Sequence, residues 1–304
     1  MVGSGNLNAV IFYLSKGDGT FNRVPGIDLG TTPVAVAVLD LNGDGKVDIV
    51  TAHTSSASIL INTTPPASAS AALNAASFAV GQPVAPGSLA SLFGVGYASS
   101  NAQASSVPLP LSLGGVSATI GGVPAPLVFA GKNQINLQVP WTVGAGKADV
   151  VVTANGAARP PLSITIGAVA PGIFTTQSGT GQAIAINADG SLAAPDGSIP
   201  GIATRAATPG DTILVLATGL GAVTPAIGAG AAASDTLRNT VVKPTVLIGG
   251  TAAQVAFSGL SPQFVGVYQL NVVVPPVRGG VVSLQIDAGG IRTTDKVTIA
   301  VAGN

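Results

Sequence analysis

The chain has 304 residues; 47% are hydrophobic and 8% charged, with 12 basic side chains against 12 acidic ones, one histidine and no cysteine. Zero net charge offers no electrostatic footprint for nucleic acid or an anionic membrane surface, and the missing cysteine excludes disulfide frameworks and thiolate metal sites. Apolar residues come in short runs such as VAVAVL and LNVVVP, none approaching the roughly 18 consecutive residues of a membrane-spanning helix, so membrane insertion is not expected.

Every acid is an aspartate. Without glutamate and with few lysines, the usual surface residues of helices are scarce, whereas Val, Ile and Thr suit strands; 41 glycines and 22 prolines break the chain every few positions. The expected fold is all-β. Residues 1–62 alternate in strand-like pieces (AVIFYL, KGDGTF, VAVAVLDLNGDGKVDIVTA, SASILIN) punctuated by Gly and Asp turns. The opening MVGSGNLNAV lacks the charged start and long apolar stretch of a secretion signal, and the strand pattern begins as though in mid-repeat, so a piece of a longer gene product is expected. TTPPASASAA, residues 63–72, reads as a linker.

The remainder contains an internal repeat. VAPG at 84–87 returns as ATPG at 207–210, Ile120-Gly121-Gly122 as Ile248-Gly249-Gly250, and QINLQVP at 134–140 as QLNVVVP at 269–275, in the same order. Each copy offers short strands separated by turn signals at the spacing of a β-sandwich. The expected division is a first immunoglobulin-like sandwich over 73–168 and a second over 169–304. The second carries an inserted hairpin, AIAIN and SLAAP, around an Asp189-Gly190 turn.

Candidate chemistry is concentrated in DLNGDGKVD, residues 40–48. Hard oxygen donors at alternate positions of a tight loop suit calcium, and Gly43 and Gly45 permit the sharp backbone turns. Position 12 of an EF-hand would need a glutamate, which is absent, and strands rather than helices are predicted on either side. Asp18 in KGDGTF reads as a hairpin turn. His53 has Ser55, Ser56 and Asp48 nearby, the residue types of a catalytic triad, but no GxSxG elbow surrounds them, and no catalysis is expected. GVGYAS and ATGLGAVTP lack the helix and the GK[ST] of a phosphate cradle and read as turns. Trp141 is expected to pack rather than to serve as a sugar platform. Phe129, Phe257, Phe264 and Tyr268 are expected in the sandwich cores, and Asn62-Thr63-Thr64 forms a sequon.

Two resemblances attach to these motifs. KGDGTF followed by PVAVAVLDLNGDGKVDIVTA resembles one FG-GAP or VCBS-type blade of the integrin-like β-propellers. It implies a calcium-binding β-hairpin whose ligands are Asp40, Asn42, Asp44, the backbone carbonyl of Lys46, and Asp48, in a blade-like segment over 1–62. NAASF, VAPGSLASLFGVGYA, LGGVSATIGGVPAPLVFAGKNQINLQVPW, APGIF and LIGGTAAQVAFSGLSPQFVGVYQLNVVVP resemble the Solibacter-type uncharacterised C-terminal domain, related in style to IPT/TIG domains. That resemblance implies an immunoglobulin-like fold at the surface of, or secreted by, a bacterium, and no reaction. The expectation is a non-catalytic extracellular structural or adhesive module with a structural calcium. It would associate with itself, as filaments built by strand addition, or with other surface proteins or glycans. A glycan-binding module appended to a secreted enzyme is the alternative.

Overall fold

The computed structural model describes residues 2–3, 8–15, 19–42, 47–62, 71–294 and 296–303. Among these there are strands and turns and no α-helix: the protein is all-β. It divides into two compact units, Met1–Pro66 and Ala67–Asn304.

The smaller unit holds two three-stranded antiparallel sheets. In one, Ala9–Ser15 lies between Val2–Gly3 and Phe21–Asp28; in the other, Asp48–Ala52 lies between Ala35–Leu39 and Ala57–Leu60. Because side chains alternate across a strand, register decides which residues share a face. Val38, Ile49 and Leu60 line one face of the second sheet, and Ala37, Val50 and Ile59 the other. Val10, Ile11 and Ile49 are buried. The Thr32 hydroxyl donates to Asn8 Oδ1 at 2.8 Å.

The larger unit is a tandem of immunoglobulin-like sandwiches, each closing over its own hydrophobic core. In the first, one sheet runs Ala71–Asn74, Leu89–Phe93, Gln134–Gln138, Leu127–Ala130, Ala102–Gln103. The facing sheet is built on Gly146–Ala154, flanked by Val116–Ile120 and Leu162–Ile166. Alternation along Val116–Ile120 sends Val116, Ala118 and Ile120 inward to meet Leu92, Ile135 and Leu137. In the second sandwich Thr251–Leu260 pairs with Thr245–Ile248 at one end and with Tyr268–Val273 at the other, so a single strand turns the corner between the sheets. The register shifts between Val255 and Phe257, a bulge of the sort that lets a strand change sheets.

The repeat read from sequence maps onto equivalent places. Gly121 and Gly122 have φ of 57° and 78°, Gly249 and Gly250 57° and 80°; both pairs reverse a hairpin in the doubly left-handed turn that glycine favours. The Asp189-Gly190 hairpin is present, with the Asn187 amide donating to the Ser191 carbonyl at 2.8 Å. Two expectations need correction. Ala71 and Ala72, assigned to the linker, are already strand, paired with Phe93 and Leu92; residues 63–70 lie outside the described ones. Of the four aromatic residues expected in cores, only Tyr268 is fully buried. The bulges at Leu127/Phe129 and Val255/Phe257 re-aim Phe129 and Phe257 over Gly131 and Gly259, while Phe264 sits exposed in a loop.

The sandwiches are joined by buried polar groups. Asn74 Nδ2 donates to the Ala170 carbonyl at 2.7 Å while its Oδ1 accepts the Ala76 and Ser77 amides. Thr218 Oγ1 accepts the Leu89 amide at 3.0 Å and donates to the Gly266 carbonyl at 2.7 Å. Gln138 accepts the Gly230 amide at 2.6 Å. Trp141, carried by the first copy, packs against the core of the second.

Candidate calcium hairpin

Ala35–Leu39 and Asp48–Ala52 form the hairpin that carries DLNGDGKVD, with Leu39 and Asp48 as its last register pair. Asp40 and Asn42 therefore leave from one foot of the loop and Asp48 closes the other. Asp40 and Asn42 are exposed, whereas Asp48 is wholly buried. Asp44 and Lys46, like Gly43, Gly45 and Asp18, lie outside the described residues.

Asp48 is the organising residue. Its Oδ2 accepts the Leu41 amide at 2.9 Å and its Oδ1 the Asn62 amide at 2.7 Å. One carboxylate thus ties the start of the loop to the chain leaving the third strand. A buried charge is tolerable only with such charge-assisted bonds. Each oxygen retains a second lone pair. Asn62 returns a bond from Nδ2 to the Val47 carbonyl at 3.3 Å. The sequence reading noticed Asn62 only as a sequon; a polar residue fourteen positions after a buried aspartate gives no local sign that they meet. Among the described residues, no three acidic or imidazole side chains converge as a metal cluster.

His53 follows the hairpin and is nearly buried. Its Nδ1 lies 2.9 Å from Thr31 Oγ1 and 3.3 Å from the Thr32 carbonyl, and its Nε2 lies 3.1 Å from both Thr51 Oγ1 and Ser58 Oγ. The carbonyl can only accept, which favours a proton on Nδ1 and leaves Nε2 to accept from a hydroxyl. None of the ring's hydrogen bonds among the described residues comes from Ser55, Ser56 or Asp48. The imidazole ties the segment entering the sheet, at Thr31 and Thr32, to the strands Asp48–Ala52 and Ala57–Leu60.

In the larger unit a cavity of about 320 Å³ opens where the sandwiches meet, lined in part by Ser77, Gln82, Pro171, Arg292 and Thr293. Among the described lining residues the one cationic side chain, Arg292, is paired with Asp287 at 3.4 Å. The inserted hairpin has a tighter cluster. Asp189 accepts from the Ser191 hydroxyl at 2.6 Å, from the Ser191 amide at 3.0 Å and from Arg205 at 2.9 Å, and these bonds hold its pKa down at about 2.

A family model described as FG-GAP-like repeat matches residues 1–51, the stretch that contains most of the hairpin. No curated protein matches the chain. Among solved structures the chain is similar to SGBP-B of the Bacteroides ovatus mixed-linkage glucan utilization locus, solved in complex with a mixed-linkage heptasaccharide, at 11% identity and a TM-score of 0.34. That likeness covers 97% of this chain and 60% of the other, so the chain spans less than two thirds of that protein. It is also similar to the γ-CGTase of alkalophilic Bacillus clarkii (12% identity, TM-score 0.25, 85% of this chain and 29% of that one). Domains 5–6 of the S-layer protein SbsC match at 10% identity and a TM-score of 0.25, over 79% of this chain and all of that one.

Proposed function

We propose that the chain is a non-catalytic structural or adhesive module working outside a bacterial cell, on its surface or in its matrix, and that copies join by adding strands of one to sheets of the next. The observation that carries this reading is the second sheet of the smaller unit. One of its faces consists of Ala35, Ala37, Leu39, Val50, Ala52, Ala57 and Ile59 beside the buried Asp48. Leu39 is 41% exposed and Ile59 58%. Contiguous exposed apolar surface marks a place that another surface covers, and among the described residues Ala35–Leu39 and Ala57–Leu60 are both edge strands with backbone groups to offer.

Calcium suits the hairpin in this reading. Asp40 and Asn42 present hard oxygens at one foot, and Asp48 keeps lone pairs at the other, while Asp44 and the Lys46 carbonyl complete the set that the resemblance implies. Bound there, the ion would neutralise clustered carboxylates and stabilise the native hairpin. The larger unit's reading as a Solibacter-type C-terminal domain rests on its motifs, NAASF and APGIF among them. Trp141, the aromatic residue weighed for the glycan-binding alternative, packs against the core of the second sandwich.

Negative-stain electron microscopy of the purified chain, with calcium and with chelator, tests the proposal. Filaments or rings in calcium are expected, and none from a chain lacking residues 1–62. Undiminished assembly by that deletion would remove the smaller unit from the mechanism.

A further inference from the structure

The two sandwiches end in equivalent strands whose outer edges differ. Leu162–Ile166 pairs with Gly146–Ala154 from Gly146↔Ile166 onward, and Val297–Val301 pairs with Gly280–Ala288 from Gly280↔Val301 onward. The two glycines share an unusual φ, 124° and 125°. On the far side the copies begin alike. Val84 donates to the Thr165 carbonyl at 3.1 Å and accepts from Gly167 at 2.9 Å; Ala207 donates to the Ala300 carbonyl at 2.9 Å and accepts from Ala302 at 2.8 Å. Ile166 is thus equivalent to Val301, and by the same register Thr165 to Ala300, Ser163 to Thr298 and Pro161 to Lys296.

Beyond that point the second copy is covered and the first is not. Gly181–Gln182 runs parallel to Val297 and Thr298. Gly181 donates to the Lys296 carbonyl at 2.9 Å, Ala183 donates to the Thr298 carbonyl at 2.9 Å, and Ala300 donates to the Ala193 carbonyl at 2.8 Å. The equivalent groups of the first copy are the carbonyls of Pro161 and Ser163 and the amide of Thr165, and among the described residues none has a backbone partner. Ser163 and Thr165 are exposed. A proline commonly guards a sheet edge by withholding its N–H. Here the ladder needs only the carbonyl of Pro161, so the guard does not close the edge.

We infer that the outer edge of Leu162–Ile166 is the acceptor for the strand Ala35–Leu39 of a second copy, added in parallel. The inference rests on the strand-addition reading above and assigns its acceptor. The occupant follows from what fills the twin edge. Gly181-Gln182-Ala183 sets small residues on either side of a larger one, letting a strand approach closely, before the chain turns away and Ala193 takes the Ala300 amide. Ala35-Val36-Ala37 repeats that alternation on a strand that lies at a sheet edge among the described residues. Main-chain bonds would supply affinity, and the small side chains would supply fit.

The test uses a fluorescein-labelled peptide of residues 32–41, titrated into the full chain and into Thr165→Pro, which removes the outward amide and, within the sandwich, only the exposed bond from Lys147 Nζ to the Thr165 hydroxyl. Saturable binding weakened roughly tenfold by the substitution is expected, the size of one lost hydrogen bond that strands its acceptor. The melting temperature should be preserved. Hydrogen exchange on the unmodified chain gives a second reading: the peptide should slow the Ser163 and Thr165 amides. Binding indifferent to Thr165→Pro, or protection confined to other strands, overturns the inference. If calcium-dependent assemblies form equally well from Thr165→Pro, strand addition survives and this acceptor falls. If the peptide binds at Thr165 while the chain stays dispersed, the acceptor stands and the assembly reading falls.

Discussion

The indole of Trp141 occupies the space that a side chain on Gly87 would need: a Cβ there would lie 2.1 Å from the ring. Gly87 also has φ of 77°, and its carbonyl accepts from Gln138 Nε2 at 3.1 Å. Two effects therefore add in Gly87→Ala. The left-handed backbone costs about 1–2 kcal/mol for an L side chain, and overpacking a filled site costs about 1–3 kcal/mol more. Urea unfolding should show a loss of about 2–5 kcal/mol. A loss under about 0.5 kcal/mol, the scale of ordinary surface substitutions, would mean that the indole moves aside freely.

Asn74 joins the first strand of one sandwich to the entry of the next. Asn74→Ala would strand the Ala170 carbonyl and the Ala76 and Ser77 amides in a site that admits little water. With each unsatisfied group costing about 1–3 kcal/mol and water recovering some of them, a loss of about 3 kcal/mol is expected. The shape of the transition says more than its midpoint. Unchanged chains should unfold both sandwiches in one step, and the variant should separate them into two. A single transition that only moves to lower urea would show that Asn74 stabilises its own turn and couples nothing.

Legibility in the sequence followed the range of the interaction. The repeated Ile-Gly-Gly and QINLQVP/QLNVVVP motifs were readable because a tight turn needs glycine at fixed positions and a half-buried strand needs alternation. Both are local demands, and both landed where expected. The aromatic residues failed because a bulge shifts the alternation by one residue, so Phe129 and Phe257 face away from the positions that an unbroken period assigns them. The junction was invisible. Asn74, Gln138 and Thr218 are polar residues in strand-like or turn-like contexts, and only the approach of segments 48 to 129 positions apart makes them buried and paired. Asp48 illustrates the same limit at the hairpin. The loop pattern proposes it as a metal ligand through the resemblance to a calcium-binding blade, while its bonds to the Leu41 and Asn62 amides depend on where the third strand ends.

Asp189 predicts a pH dependence. Its folded pKa is held at about 2 against an ordinary 3.8, first by the Ser191 hydroxyl and amide and then by Arg205. A depressed carboxylate binds its proton less readily when folded, so it stabilises the native state above the ordinary value, and that contribution is lost as pH falls through the folded one. Asp189→Asn should therefore melt below the unmodified chain at pH 5 and above, with the gap narrowing from about pH 4 and closing near pH 2. The carboxylate is solvent-exposed, so the gap should be small and should shrink further in salt. A gap that is constant across this range would trace the effect to the turn geometry instead of the charge.

The hairpin's aspartates separate ligand from fold. Asp44, whose role is implied by the loop pattern, should matter only when the ion is present: Asp44→Ala should lower the melting temperature in calcium and change little in chelator. Asp48 should behave differently, because its carboxylate holds two backbone amides whether or not a metal binds. Charge-assisted bonds of this kind are worth about 1.5–3 kcal/mol each, so Asp48→Ala should destabilise the smaller unit in both conditions, and further in calcium. Differential scanning calorimetry of the two variants with calcium and with chelator makes four comparisons. Equal shifts for Asp44→Ala in both conditions would count against an ion at the loop. Loss for Asp48→Ala only in calcium would mean that its amide bonds form as a consequence of metal binding, and that the ion, not the carboxylate, fixes the chain at Leu41 and Asn62.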